Sequence, residues 1–316
     1  MSTDVATAPI VQMRPRATTF ALTAAVASGA LVALQQRING ELKTAVGDVL
    51  LTALVSFGTG LVAVIAVVLS RSSARGALLR VREVSWPLRF GGLGGASLVA
   101  VGAAAAPEIG VALLTVGLVA GQTTGGLVVD RVGWGPGGAH PLTPPRVFGA
   151  TLCLLAVGIS VLGEGARAAS PLLLAAVVAA GFLIAVQQAL NGQVRKTTGD
   201  AGVATLINFV GGTIALGVGL AVQAAFGGVT VDHWPGADQF YLYLGGPMGA
   251  TFVAIAAVVV RRLGVLRLGL AIVAGQLVGA LLLDLVLPVH DQGVEVLTVV
   301  GVALTLVAVV VSGGRR

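Results

Sequence analysis

The chain has 316 residues, of which 56% are hydrophobic and 10% charged, with a mean hydropathy of +0.98, where a soluble domain carries roughly a quarter charged residues. Water is therefore not the solvent for most of it, and an all-α polytopic membrane protein is expected. The formal net charge of +6 does not mark a nucleic-acid partner, because apolar runs long enough to cross a bilayer separate the basic residues.

Residues 1–17 form a polar tail with Arg14 and Arg16, followed by an apolar run from Thr18. That is the layout of a signal sequence. The segment Pro171 to Leu190 repeats it in mid-chain, where no signal peptide can sit, so the first run is expected to stay as a span. Windows of about 20 apolar residues place ten spans, at 18–39, 49–70, 88–105, 110–129 and 146–163, then at 171–190, 202–224, 240–260, 264–286 and 295–312. Helices are the expected form, since backbone groups in lipid must be satisfied within the segment and the alternation of a barrel is absent. Two halves result, 18–163 and 171–312, joined by a linker at 164–170 and closed by a tail at 313–316.

The basic residues set the orientation. With a cytoplasmic N-terminus only Arg37, Lys43 and Arg167 of the 19 Lys and Arg fall outside, and every other one lies inside. That is the bias of the positive-inside rule. The expected location is the cytoplasmic (inner) cell membrane, multi-pass, with both termini in the cytoplasm.

The halves are copies. Ala33 to Gly60 returns as Ala185 to Gly212 at an offset of about 152 positions, and repeats of this kind define the architecture. Gln35, Gln36, Asn39, Gly40, Gly47, Asp48, Phe57 and Gly60 become Gln187, Gln188, Asn191, Gly192, Gly199, Asp200, Phe209 and Gly212. Further on, Gly121, Gln122, Gly125 and Asp130 match Gly275, Gln276, Gly279 and Asp284. Five spans per half is an odd number, so the second half is expected to enter the membrane inverted. Ten helices as two inverted five-helix repeats is an arrangement typical of secondary transporters.

These motifs, Q-Q-x-x-N-G with G-D and S-F-x-x-G, then G-Q-x-x-G-x-x-x-x-D, resemble the YdcZ family of the drug/metabolite transporter superfamily, in a fused ten-span form covering residues 18 to 312. The resemblance implies an inner-membrane carrier that exports a small solute. Small multidrug exporters of the same superfamily resemble it more distantly, and they use a carboxylate in the middle of the first helix. Ala24 to Leu34 has no ionisable group, so proton-for-drug exchange through that position does not carry over.

Polar side chains inside spans are costly and line pathways or tie helices together. Gln122 and Gln276 lie at matching depths, roughly 18 Å along their spans, and either bind solute across the pseudo-twofold axis or hydrogen-bond between helices. The stripe of Gly117, Gly121 and Gly125 beside Gln122 suits close packing. Gln35, Gln36 and Asn39, with Gln187, Gln188 and Asn191, are read as polar groups at the two mouths of a pathway, or as amides of a frayed last turn before Gly40 and Gly192 acting as stops. Asn208, the partner of Ser56, is a further candidate for binding. Asp130 and Asp284 close their spans near an interface and are candidates for ion coupling. Asp48 and Asp200 precede helices and are expected to cap them.

Cys153 is the single cysteine, which excludes an intrachain disulfide and fits a packing residue. His140, His233 and His290 are dispersed in loops, there is no Walker loop, and no nucleophile has a base. Neither a cofactor nor a metal nor an enzymatic reaction is expected. The expected function is secondary-active transport of a small organic metabolite or drug-like solute by alternating access, with the lipid bilayer as surroundings. A passive channel or a partner protein without flux stays open, as does a homodimer.

Overall fold

The computed structural model describes residues 15–135, 138–139, 141–160, 162, 170–288 and 296–312. Among them every regular element is helical. The helices are α1 (Pro15–Val46), α2 (Val49–Ser70), α3 (Ala74–Leu79), α4 (Gly92–Val132), α5 (Pro144–Ser160), α6 (Pro171–Thr198), α7 (Ala201–Ala225), α8 (Gly245–Val286) and α9 (Val296–Ser312), with short 3-10 turns at Arg80–Glu83, Trp86–Gly91 and Ala237–Leu244. Each of the ten expected spans has most of its length on one of these helices, with two each on α4 and α8; residues 161, 163 and 295 of the expected spans lie outside the described residues.

How α4 holds two spans follows from its contacts. Gly110 inside it has φ 75 and ψ 162, values open to glycine and closed to side-chain-bearing residues, and Pro107 just before it lacks an N–H. Beyond the break, Gly117 faces Val177, Gly121 faces Val178 and Phe182, and Gly125 faces Phe182 and Ala185. Before it, Gly94 faces Leu183 and Gly91 faces Leu190. One leg thus runs parallel to α6 and the other antiparallel, so the chain turns back at Gly110 into a hairpin. Its legs, 92–109 and 111–132, are about 27 and 33 Å long at 1.5 Å per residue.

α8 packs on α1 in the same manner. Gly245 meets Asn39 and Gly249 meets Gln35, whereas Gly275 meets Val26 and Gly279 meets Ala30. The chain therefore also reverses between residues 249 and 275. Since Gln36 meets Gly102 and Gly40 meets Ala106 and Pro107, α1 runs parallel to the first leg of α4 and thus antiparallel to α6. The two helices that carry the repeated motif point in opposite directions, which supports the inverted repeat.

Close approach of small residues makes this packing possible. Lipid gives apolar side chains no hydrophobic reason to leave it, so helices associate through dispersion contacts, and glycine lets backbones come nearest. Among the resulting apolar clusters, three tie the long helices together. Ala33, Ala106, Leu113, Leu118, Val177 and Ala280 join α1, both legs of α4, α6 and α8. Ala53, Phe57, Ala96, Val203 and Phe209 join α2, α4 and α7. Val116, Val119, Cys153, Leu277 and Val302 join the second legs to α5 and α9, and the buried Cys153 is there as a packing residue.

Helix ends differ from the sequence expectation at one pair of positions. Gly40 and Gly192 are not stops: α1 continues to Val46 and α6 to Thr198. The terminating glycines are Gly47 (φ 89) and Gly199 (φ 78), both left-handed. A glycine stops a helix only where its φ turns positive, and Gly40 is instead the place where the Pro107 ring lies against α1. Asp48 and Asp200 cap as expected, accepting from Leu51 N at 2.8 Å and Val203 N at 3.1 Å.

Candidate functional site

Because α1 and α6 run on past their repeated amides, those amides sit well inside the helices. The centre is fixed by the crossing of α2 and α7, where the Phe57 and Phe209 rings lie 5.0 Å apart between centroids. A Cβ at Gly95 would stand 3.0 Å from Phe57 Cζ and 3.1 Å from Gln187 Oε1, so Gln187 borders the aromatic pair. Phe57 and Gly60 are midway along α2, which puts this cluster at the middle of the bundle rather than at its mouths.

Most of the polar groups there have no partner. Gln36 is 1% exposed and Asn39 0%, yet both amide atoms of each lack a hydrogen bond, as do Ser56 Oγ, Gln187 Oε1 and Asn208 Oδ1, Thr213 Oγ1 a turn along α7 from Phe209, and Thr115 Oγ1 away on the second leg of α4. A buried amide without partners costs about 1–3 kcal/mol, and such groups are rare enough in proteins to require an explanation. Gln35 is buried against Gly249, and Asn191, half-buried, points Oδ1 at Gly91. Gln188 is exposed and stands apart from the buried set.

The sequence candidates thus divide into two groups. Gln187 borders Phe57, Asn39 lies beside Ser56 at Gly245, and Asn208 precedes Phe209, while Gln35 and Gln36 lie one turn from Asn39 along α1 and Asn191 one turn from Gln187 along α6. Gln122 and Gln276 belong to the second legs of α4 and α8, the first half-buried and the second buried, and no hydrogen bond joins them. The sequence reading of polar spans missed Thr115 and Thr213, since single threonines in apolar helices usually bond their own backbone, and nothing in their spacing marks these as exceptions.

Asp284 is 7% exposed rather than open to water. Its carboxylate accepts from Val111 N at 3.1 Å and Ala112 N at 2.7 Å. These are the first free N–H groups after the Gly110 turn, so Asp284 caps the second leg of α4 from another helix. Asp130 is half-buried near the end of that leg. At the two ends of the bundle the capping aspartates have second partners: Arg71 Nη2 bonds Asp200 Oδ2 at 3.0 Å, and Gln223 Nε2 donates to Asp48 Oδ2. Arg71 and Gln223 are themselves repeat-related positions, which spacing alone did not reveal. His140 and His290 lie outside the described residues; His233 is in a loop. No cluster of metal-ligating side chains occurs among the described residues.

A polytopic helical membrane protein with a polar centre is the class that fold and site define. Residues 20–160 and 172–311 both match the family model "Putative inner membrane exporter, YdcZ", and the chain belongs to that family. It is accordingly a multi-pass membrane transporter of the inner membrane, working on small molecules within a lipid bilayer. No curated protein matches the chain. A crystal structure described only as that of a protein superposes with a TM-score of 0.57 at 21% identity, covering 94% of this chain and 96% of the other. At that identity the likeness speaks for the fold alone.

Proposed function

We propose that this chain is a secondary carrier that exports a small organic solute by alternating access. The solute would hydrogen-bond the amides and hydroxyls around the Phe57–Phe209 pair. The observation that carries the reading is the set of buried polar atoms without partners on both sides of that pair. Their desolvation is unfavourable by itself and is offset when a polar solute binds.

A second observation favours alternation over a fixed pore. Positions related by the repeat have unequal surroundings: Gln36 and Asn39 are buried, while Gln188 is exposed and Asn191 half-buried. Two inverted copies in different states are what a carrier with one gate shut and the other open requires. In this reading Gln122 and Gln276 are a secondary contact, and Asp284 braces the hairpin turn before any part in ion coupling. Cytoplasmic termini follow from the basic residues, and a homodimer is left to experiment.

Solute counterflow in reconstituted vesicles tests the proposal. A carrier shows uptake stimulated by solute on the far side, whereas a channel shows flux without stimulation and a partner protein shows neither. Gln36→Leu with Gln187→Leu should abolish counterflow while the protein still inserts. Full counterflow in that variant would remove these amides from the site, and the pair Gln122→Leu with Gln276→Leu would then be the next to examine.

A further inference from the structure

One charged pair has no place in the repeat. Arg37 and Glu41 correspond to Ala189 and Gln193 in the second half. They line a cavity of about 570 Å³ at the C-terminal end of α1, together with Gly40, Pro107, Tyr241 and Leu242, within the usual size range of small-molecule sites, roughly 300–1,000 Å³. Arg37 Nε donates to Glu41 Oε1 at 2.8 Å, and Nη1 donates to the Leu287 carbonyl at 3.1 Å.

Helix electrostatics do not explain this pair. Glu41 lies more than a turn before the end of α1 at Val46, where the macrodipole does not favour an acid, and a base placed four residues before an acid is the weaker of the two orders. The pair therefore stabilises α1 little and opens at small cost. What it offers is a positive and a negative group side by side on a wall whose other residues are apolar or aromatic apart from the uncharged Thr44 and Gln239. An anion alone would have to displace Glu41, and a cation alone would have to displace Arg37. A solute with both charges forms two ion pairs where one stood before.

We infer that this cavity takes zwitterions of the α-amino-acid type, the carboxylate on Arg37, the ammonium on Glu41 and an apolar side chain against Pro107, Tyr241 and Leu242. Its floor is the contact of Pro107 with Gly40, and Gln36 lies one turn further along α1. The cavity is thus a vestibule separated from the central amides by a thin partition. The inference deepens the carrier reading, on which it rests only for the fate of the bound solute.

Binding to purified protein in detergent, measured by titration calorimetry, tests it with three probes: L-leucine, 4-methylpentanoate (the carboxylate alone) and 3-methylbutylamine (the ammonium alone). L-leucine should bind at least tenfold tighter than either single-charge probe. Glu41→Gln and Arg37→Leu should each weaken L-leucine at least tenfold, and the exchange of Arg37→Glu with Glu41→Arg should restore it. Gly126→Ala, outside both sites with nothing within 4 Å, should leave L-leucine binding unchanged; counterflow in Gln36→Leu with Gln187→Leu is read separately, so that failure of the vestibule and failure of the carrier reading are told apart. Absence of L-leucine binding, equal affinity for 4-methylpentanoate, or unchanged affinity in Glu41→Gln would overturn the inference.

Discussion

The interface between α4 and α6 gives the sharpest quantitative test, through Gly121→Ala. A methyl at Gly121 would overlap the Val178 carbonyl and stand 2.9 Å from Phe182 N, and these neighbours are backbone. Real Cβ contacts essentially never fall under 3.0 Å, and backbone cannot rotate out of the way as a side chain can. The two helices must therefore separate, and a gap of about 0.5–1 Å already forfeits a quarter to a half of each dispersion contact. The loss extends along the stripe, because Gly117 on Val177 and Gly125 on Phe182 and Ala185 share the interface. A cost of about 2–3 kcal/mol is expected, the upper range of overpacking, after a gain of up to about 1 kcal/mol from replacing a helical glycine. Gly126→Ala is the control: it lies on the same leg with nothing within 4 Å and should be neutral or slightly stabilising. Reversible denaturant unfolding in mixed micelles measures both. Equal midpoints for the two variants would refute the close-approach argument.

Three further outcomes are expected. Asp48→Ala and Asp200→Ala should each cost about 1 kcal/mol through loss of the helix cap, measured by the same unfolding; added salt should shrink the cost only for Asp200, whose partner Arg71 is half exposed and screened. Phe57→Ala should cost about 3–5 kcal/mol, and a double-mutant cycle with Phe209→Ala should return a coupling of about 0.5–1.5 kcal/mol; no coupling would mean that the rings touch without interacting. Asp284→Ala should leave Val111 and Ala112 N–H without an acceptor and destabilise by about 1–3 kcal/mol, read as faster proteolysis at the Gly110 turn; unchanged cleavage would show that Asp284 does not hold that turn.

Much of the fold was legible because bilayer physics leaves so few choices. Apolar length specifies spans, a doubled motif specifies two copies, and an odd number of spans per copy specifies inversion. The spacing of Gly117, Gly121 and Gly125 specifies a packing face, and α6 lies against it. The capping roles of Asp48 and Asp200 were readable too, since an N-cap interaction is local and its partner lies three residues away.

What the sequence alone decided is therefore the local and the periodic: ten helical spans, their repeat, and the positions that are polar against an apolar background. Only the tertiary structure decided which polar groups end up without partners, because satisfaction depends on neighbours far away in the chain. It showed that Gly40 faces Pro107 instead of ending a helix, that Asp284 caps a turn on another helix, and that Gln36 is enclosed while its copy Gln188 is not. Repeated residues share a sequence environment, but each is surrounded by the other half of the molecule, and that difference arises only when the two halves pack.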